Sequence, residues 1–194
     1  MSIIRSICVF CGSRPGDEPV YVEEARRFGA LLAQAGVTLV YGGGGLGLMG
    51  AVADAALDAG GYVVGVIPDF LIRAEAGHGR LSEPVIVTTM HERKMAMFER
   101  SDAFVVLPGG IGTLEELFEI MSWRTLALHD KPMVMLNTAG YWTPLLDLIE
   151  RVINRRFASV NVRDSIRFVD AAADVLPTLQ SMPRGSLMKP LDRM

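Results

Sequence analysis

An α/β fold, a single domain built on a doubly wound parallel sheet, is what this 194-residue sequence predicts, and three observations predict it. Segments of strand and helix character alternate along almost the whole chain. The strand segments are continuously apolar, as in Val63-Val64-Gly65-Val66-Ile67, the pattern of a sheet covered on both faces. Two of them end in glycine runs that open helices.

The elements follow in order. A strand over 6–10 runs into the loop Cys11-Gly12-Ser13-Arg14-Pro15 and a helix over 20–35. The β-branched Val37-Thr38-Leu39-Val40-Tyr41 gives a strand over 38–41. Gly42-Gly43-Gly44-Gly45-Leu46-Gly47-Leu48-Met49-Gly50 then leads into a helix over 48–59. After a strand over 62–67, residues 69–84 form a long polar excursion, a lid or site wall. A strand over 85–88 and a helix over 91–100 follow, then the apolar strand 103–107. The run Pro108-Gly109-Gly110-Ile111-Gly112-Thr113-Leu114-Glu115-Glu116 opens a helix over 113–128. A strand over 133–137 and helices over 141–155 and near 171–180 complete a Rossmann-like domain over 1–182. Residues 183–194 mix Pro, Gly, Ser and basic residues and read as a disordered tail. In such a sheet the ligand site is expected at the carboxyl ends of the strands, where both glycine runs and the 11–15 loop fall.

Bulk properties exclude several classes. Half the residues are hydrophobic, so a full core is secured. A net charge of −3 and a pI near 5.6 speak against nucleic acid and anionic membrane surfaces. No apolar run approaches the ~20 residues of a membrane span, and no signal peptide precedes the first strand, so the cytoplasm is expected. Cys8 and Cys11 have redox-motif spacing, but on a strand they face opposite sides. His78, His91 and His129 lack metal-ligand spacing, and no metal site is expected.

The glycine runs carry the chemistry. Glycines at a strand–helix junction let backbone approach a ligand, and the first helical turn has amides available to a phosphate. Neither run is followed by the Lys-Ser/Thr of a Walker loop, and no acidic residue ends the 62–67 strand as a dinucleotide site would need. Glu116 lies one turn into its helix, close to where an anion would bind. It is therefore suited to hold what is attached to the phosphate, which points to a phosphorylated sugar. Met90-His91-Glu92-Arg93-Lys94 puts two cations into a first helical turn, against the helix dipole. The functional reading is that they serve the same anionic ligand.

Together these three motifs resemble the LONELY GUY (LOG) family of cytokinin riboside 5′-monophosphate phosphoribohydrolases, often labelled possible lysine decarboxylases. The resemblance spans about residues 5–160 and includes Cys11-Gly12-Ser13 and His129-Asp130-Lys131-Pro132. It implies cleavage of the bond between an N6-modified adenine and ribose 5-phosphate, by water, without a cofactor. It gives Arg93 and Glu116 the catalytic roles, and implies a substrate site of Ser13, Gly43, Gly44, Met90, Arg93, Lys94, Gly109, Gly110, Gly112, Thr113 and Glu116. A carboxylate beside the ribose suits an oxocarbenium-like transition state. Glu115, one position away, points about 100° around the helix and has a simpler role in favouring the helix dipole. The resemblance further implies a homodimer, and Phe118, Met121 and Trp123 make the 113–128 helix apolar on more than one side.

Two rivals remain, and one label fares poorly. A general nucleoside 5′-monophosphate nucleosidase acting on AMP is not separated from a cytokinin enzyme, because Arg124 and Thr125 follow Trp123 where many relatives carry a glutamine at the second position. A non-catalytic carrier of a nucleotide or of molybdenum cofactor would use the glycine loops but not Glu116 together with Arg93. A pyridoxal phosphate decarboxylase needs a Schiff-base lysine, and the chain has only Lys94, Lys131 and Lys189.

Overall fold

The computed structural model describes residues 4–73 and 76–183. Among the described residues seven strands form one parallel sheet: β1 (Ser6–Phe10), β2 (Thr38–Tyr41), β3 (Val63–Pro68), β4 (Glu83–Val87), β5 (Ala103–Val106), β6 (Met133–Leu136) and β7 (Ile166–Val169). Their order is β4-β3-β2-β1-β5-β6-β7, every pairing parallel. The helices are α1 (Pro19–Gln34), α2 (Gly47–Asp58), α3 (Met90–Glu99), α4 (Ile111–Thr125), α5 (Thr143–Asn154), α6 (Asn161–Ser165) and α7 (Val175–Ser181). The expected doubly wound α/β architecture is present.

Strand alternation divides the core in two. Ile7, Val9, Leu39, Tyr41, Val105 and Val134 face a layer made by α1, α2 and α7. Cys8, Phe10, Val40, Phe104, Val106 and Met133 face the opposite layer, made by α3, α4, α5 and α6. Cys8 and Cys11 fall into different layers, as strand geometry requires.

Helix ends follow local chemistry. Pro19 begins α1 with its φ already helical. Among the described residues four helices close on a residue in the left-handed region: Gly36 after α1, Gly60 after α2, Ala127 after α4 and Arg156 after α5. Each closure makes the paired hydrogen bonds of a Schellman turn, for example Val37 N–H to the Leu32 carbonyl at 2.9 Å and Gly36 N–H to the Ala33 carbonyl at 3.0 Å. Ala127 therefore ends α4 at Thr125, three residues short of the expected boundary.

Two elements, β7 and α6, are present that the sequence pattern does not predict. Ile166-Arg167-Phe168-Val169 is a four-residue edge strand whose second residue is charged, so it lacks the continuous apolar run of its neighbours. The 69–84 excursion also yields the start of β4 at Glu83, whose alternating exposure is that of an edge strand. The expected tail lies, from residue 184, outside the described residues. Among the described residues no helix is long and apolar enough to cross a membrane.

Candidate active site

Strand order reverses at β1, whose neighbours β2 and β5 are entered by crossovers on opposite faces of the sheet. That leaves a crevice at the carboxyl ends of β1 and β5. A cavity of about 590 Å³ opens there, within the ordinary range for small-ligand sites.

Three loops are tied together to form it. Gly12 N–H donates to the Pro108 carbonyl at 3.0 Å, joining the loop after β1 to the loop after β5. Leu48 N–H donates to the Gly12 carbonyl at 3.0 Å, joining the start of α2. Gly47, at φ +59, lies so close to this loop that a Cβ would come within 2.3 Å of the Ser13 carbonyl carbon. Only glycine fits there.

The phosphate cradle expected at α4 takes shape from glycine placement. A Cβ on Gly109 would fall 2.2 Å from the Thr113 hydroxyl, so that residue packs against the loop itself. Gly110 and Gly112 have open space where a Cβ would stand, and both line the cavity. Leu114 N–H begins the helical bonding by donating to the Gly110 carbonyl, so the amides of Ile111, Gly112 and Thr113 belong to the unpaired first turn. Such a turn attracts an anion.

Arg93 is buried, 4% exposed, yet lines the cavity. Its Nη2 donates to the Gly42 carbonyl at 2.7 Å and its Nε to the Val66 carbonyl at 3.2 Å. Nη1 lies 4.0 Å from the Met90 sulfur. A Cβ on Gly42 would lie 2.1 Å from Nη2, so the first glycine after β2 exists to make room for this guanidinium. The start of α3 resolves the apparent conflict with the helix dipole. Thr89 caps the helix, its Oγ1 accepting from Glu92 N–H at 3.1 Å while Glu92 accepts from Thr89 N–H at 3.3 Å. Hydrogen bonds from Thr88, backbone then hydroxyl, hold the Glu92 carboxyl below its usual range. The cap supplies the negative charge that the dipole prefers, and Arg93 points back toward β2 and β3.

Ser13, Met90, Arg93, Gly109, Gly110, Gly112, Thr113 and Glu116 all border this one cavity. Gly43, Gly44 and Lys94 do not. Gly43 accepts from His78 N–H at 3.0 Å, Gly44 bridges Gly77, and Gly45 N–H donates to the Ala76 carbonyl at 2.9 Å. The second half of the glycine run thus receives the 69–84 excursion, and Leu71 of that excursion reaches the cavity. Lys94 is paired with Glu115 at 2.6 Å and Glu119 at 3.0 Å. Glu115 accordingly has an ionic partner as well as its place near the helix start. Met121 is buried and Trp123 packs edge-on to Phe98 at 5.2 Å, so of the three residues that suggested a covered helix only Phe118 stays exposed.

Tyr21 and Tyr141 also line the cavity and were not found from the sequence. The available signal was position: Tyr141 follows the turn that ends β6, beside β5 at the carboxyl edge. Of the histidines, His129 is buried and its pKa is lowered, chiefly by burial, and it donates to the Ile120 carbonyl at 2.9 Å while accepting from Lys131 N–H. Neither Lys94 nor Lys131 lines the cavity, and Lys189 lies outside the described residues. Lys131 donates instead to the Phe98 carbonyl at 2.6 Å, above the Phe98 ring.

The family model described as "Possible lysine decarboxylase" matches residues 49–179. The cytokinin riboside 5′-monophosphate phosphoribohydrolase of Rhodococcoides fascians is 47% identical over 163 residues, covering 84% of this chain and 82% of that protein. LOG1 of Arabidopsis thaliana, named a cytokinin riboside 5′-monophosphate phosphoribohydrolase, is 41% identical over 184 residues, covering 94% and 86%. Among solved structures, the Moco carrier protein from Chlamydomonas reinhardtii superposes with a TM-score of 0.68 at 19% identity, over 91% of this chain and 96% of that one. The molybdenum cofactor binding protein from Rippkaea orientalis gives 0.68 at 19% identity, over 91% and 95%. The structural likeness at such identities is one of fold, whereas the sequence likeness is one of family. The chain therefore belongs to the LOG family of cytokinin riboside 5′-monophosphate phosphoribohydrolases, the family whose model bears the lysine decarboxylase description.

Proposed function

We propose that this chain hydrolyses the N-glycosidic bond of cytokinin riboside 5′-monophosphates, releasing the free base and ribose 5-phosphate, with AMP as a further substrate. The observation that carries this reading is one cavity bordered by an unpaired helix N-terminus, a buried arginine and Glu116. The names of relatives at 41–47% identity support it.

The 5′-phosphate lies against the amides of Gly110, Gly112 and Thr113, with the Thr113 hydroxyl as a further donor. This fixes the ribose near the first turn of α4, where Glu116 stands. As the bond to the base breaks, positive charge grows at C1′ and the ring oxygen. The Glu116 carboxylate stabilises that charge and orients the attacking water. Arg93, its guanidinium clamped by two carbonyls, is the fixed counter-charge of the site. Met90 and Ser13 contribute to the walls, and Lys94 acts by holding Glu115 and Glu119 rather than by reaching the ligand. No metal or organic cofactor enters this scheme, and the expected compartment is the cytoplasm.

The reading extends to assembly. Met90 and Met95 of α3 and Ile111 and Phe118 of α4 are large apolar side chains exposed to solvent, and two of them, Met90 and Ile111, border the cavity. A homodimer through these helices would cover them and bring a partner close to each site.

Purified protein given isopentenyladenosine monophosphate, AMP and adenosine tests the reaction, with free base and ribose 5-phosphate as readouts. Both monophosphates should be cleaved and adenosine spared, because remote phosphate binding contributes to catalysis as well as to affinity. Equal turnover of adenosine and AMP would contradict the scheme.

A further inference from the structure

Tyr141 reaches the glycine loop from a neighbouring strand. The turn after β6 contains two successive residues in the left-handed region, Ala139 at φ 52 and Gly140 at φ 74. Asn137 braces that turn, its Oδ1 accepting from Trp142 N–H at 2.7 Å. This folds Tyr141 back so that its hydroxyl donates to the Gly109 carbonyl at 2.6 Å. Its ring stands edge-on to Tyr21, centroids 5.6 Å apart, and to Trp142 at 4.7 Å. The side chain is thus held from both sides while it holds the loop.

The consequence follows from peptide planarity. In a trans peptide the C=O and the following N–H point in opposite directions, so fixing one aims the other. There are no cis peptides in the described chain. The Pro108 carbonyl is held by Gly12 N–H and the Gly109 carbonyl by Tyr141. Two consecutive peptide planes just before α4 therefore have set orientations, although glycines alone would let them rotate. Gly110, whose N–H shares a plane with the Gly109 carbonyl, borders the cavity with open space around it.

We propose that Tyr141 is a positioning residue for the phosphate-binding loop: by holding the Gly109 carbonyl, it aims Gly110 N–H at the 5′-phosphate of the substrate. The inference rests on the phosphoribohydrolase reading. Its test compares Tyr141→Phe, which removes only the hydroxyl, with Tyr141→Leu, which also removes the ring. Affinity for ribose 5-phosphate and for free adenine is measured by calorimetry, with thermal melting and steady-state kinetics on AMP and isopentenyladenosine monophosphate alongside. Both variants should bind ribose 5-phosphate about tenfold more weakly, the size expected for one hydrogen bond. Adenine binding should be unchanged, kcat/KM for the monophosphates should fall at least as far as the affinity, and only the leucine variant should melt clearly lower. If Tyr141→Phe keeps parental affinity for ribose 5-phosphate, or loses adenine affinity equally, the ring merely packs and the proposal is overturned. A parent protein that neither binds ribose 5-phosphate nor cleaves any nucleoside 5′-monophosphate removes the phosphoribohydrolase reading itself, and this inference with it.

Discussion

Arg93 is a charge held inside a protein by main-chain oxygens, an arrangement that tolerates little displacement. Its Nη2 occupies the volume that any side chain at position 42 would claim. Gly42→Ala should therefore swing the guanidinium out of place, lowering kcat/KM by about 10²-fold, the scale of a small misplacement in a catalytic group. The overpacking cost should be on the order of 1–3 kcal/mol. Kinetics read with a thermal melt check this, and parental kinetics would show that the setting of Arg93 is immaterial. Glu116→Gln is the complementary change, keeping shape and removing charge. A kcat at least ~10²-fold lower with unchanged melting is expected, as for loss of one preorganised electrostatic group. Activity within a few-fold of the parent would take Glu116 out of the mechanism. The glycine motifs and their acidic and basic companions were legible in the sequence because chemistry restricts those residue types. Which glycine does what was not legible: Gly42 serves Arg93, Gly43 to Gly45 receive the excursion, and Gly110 and Gly112 leave room for a ligand. That division depends on how separate loops meet.

The helices differ in how well their last turns suit their sequences. Gly36 and Gly60 sit in left-handed closures with nothing within 4 Å of an added Cβ, so only backbone conformation is at stake there. Gly36→Ala and Gly60→Ala should each cost about 1 kcal/mol, the penalty of a left-handed L-residue. Ala127 already carries that penalty at φ 57, so Ala127→Gly should stabilise by about 0.5–1 kcal/mol. In a domain of this size each change moves Tm by roughly 2–4 °C. Melting the three variants in parallel checks the opposite signs, and a loss of stability in Ala127→Gly would refute the reasoning. The same closures explain what could be read at element scale. Glycine-ended helices α1 and α2 fell within a residue or so of their expected ends, because the stop signal is written in the residue type. The end of α4 did not, because alanine is a helix former that here takes a conformation imposed by Leu128 folding back onto Trp123. Edge strand β7 was lost for a related reason, since a half-exposed strand does not need the apolar run that marks a central one.

Seen whole, the molecule has one flank fastened by charge and another that is apolar and uncovered. The excursion is pinned to α2 by Asp54, which bonds Arg80 and, at 3.2 Å, His78. Burial would raise the Asp54 carboxyl, but the hydrogen bonds from Arg80 and then His78 outweigh it and hold the group below its usual range. A lowered carboxyl contributes stability above its unfolded value, near ~3.9, and loses it as pH falls through the folded value. Asp54→Asn should thus be less stable than the parent at pH 7, modestly so because the carboxylate is half exposed. Urea melts at pH 7 and pH 3 should show the difference shrinking at the lower pH, and an equal gap at both would exclude this linkage. On the other flank Ile111 is 82% exposed and Phe118 43%. Light scattering at micromolar concentration should report a dimer. An active monomer of 21.1 kDa would end that proposal. Composition and motif order made the doubly wound architecture legible, but the second tyrosine wall of the cavity was not, because it comes from a turn with no motif of its own.

The position of β1 has a temporal side. The Asp102 carboxylate accepts from the Arg5 amide 97 positions back, and β5 pairs with β1 so that Ile7 stands opposite Ala103. During synthesis β1 can pair with β2 early, yet its other edge waits for β5. At ~5–20 residues per second that interval is roughly 5 to 20 seconds. Through it the chain carries a central apolar strand with one side open, and parallel pairing over such separations is intrinsically slow. The cavity takes its walls from both sides of that seam, so it cannot close before β5 has paired with β1, and ligand binding reports the joining of the two halves of the sheet rather than the formation of either one.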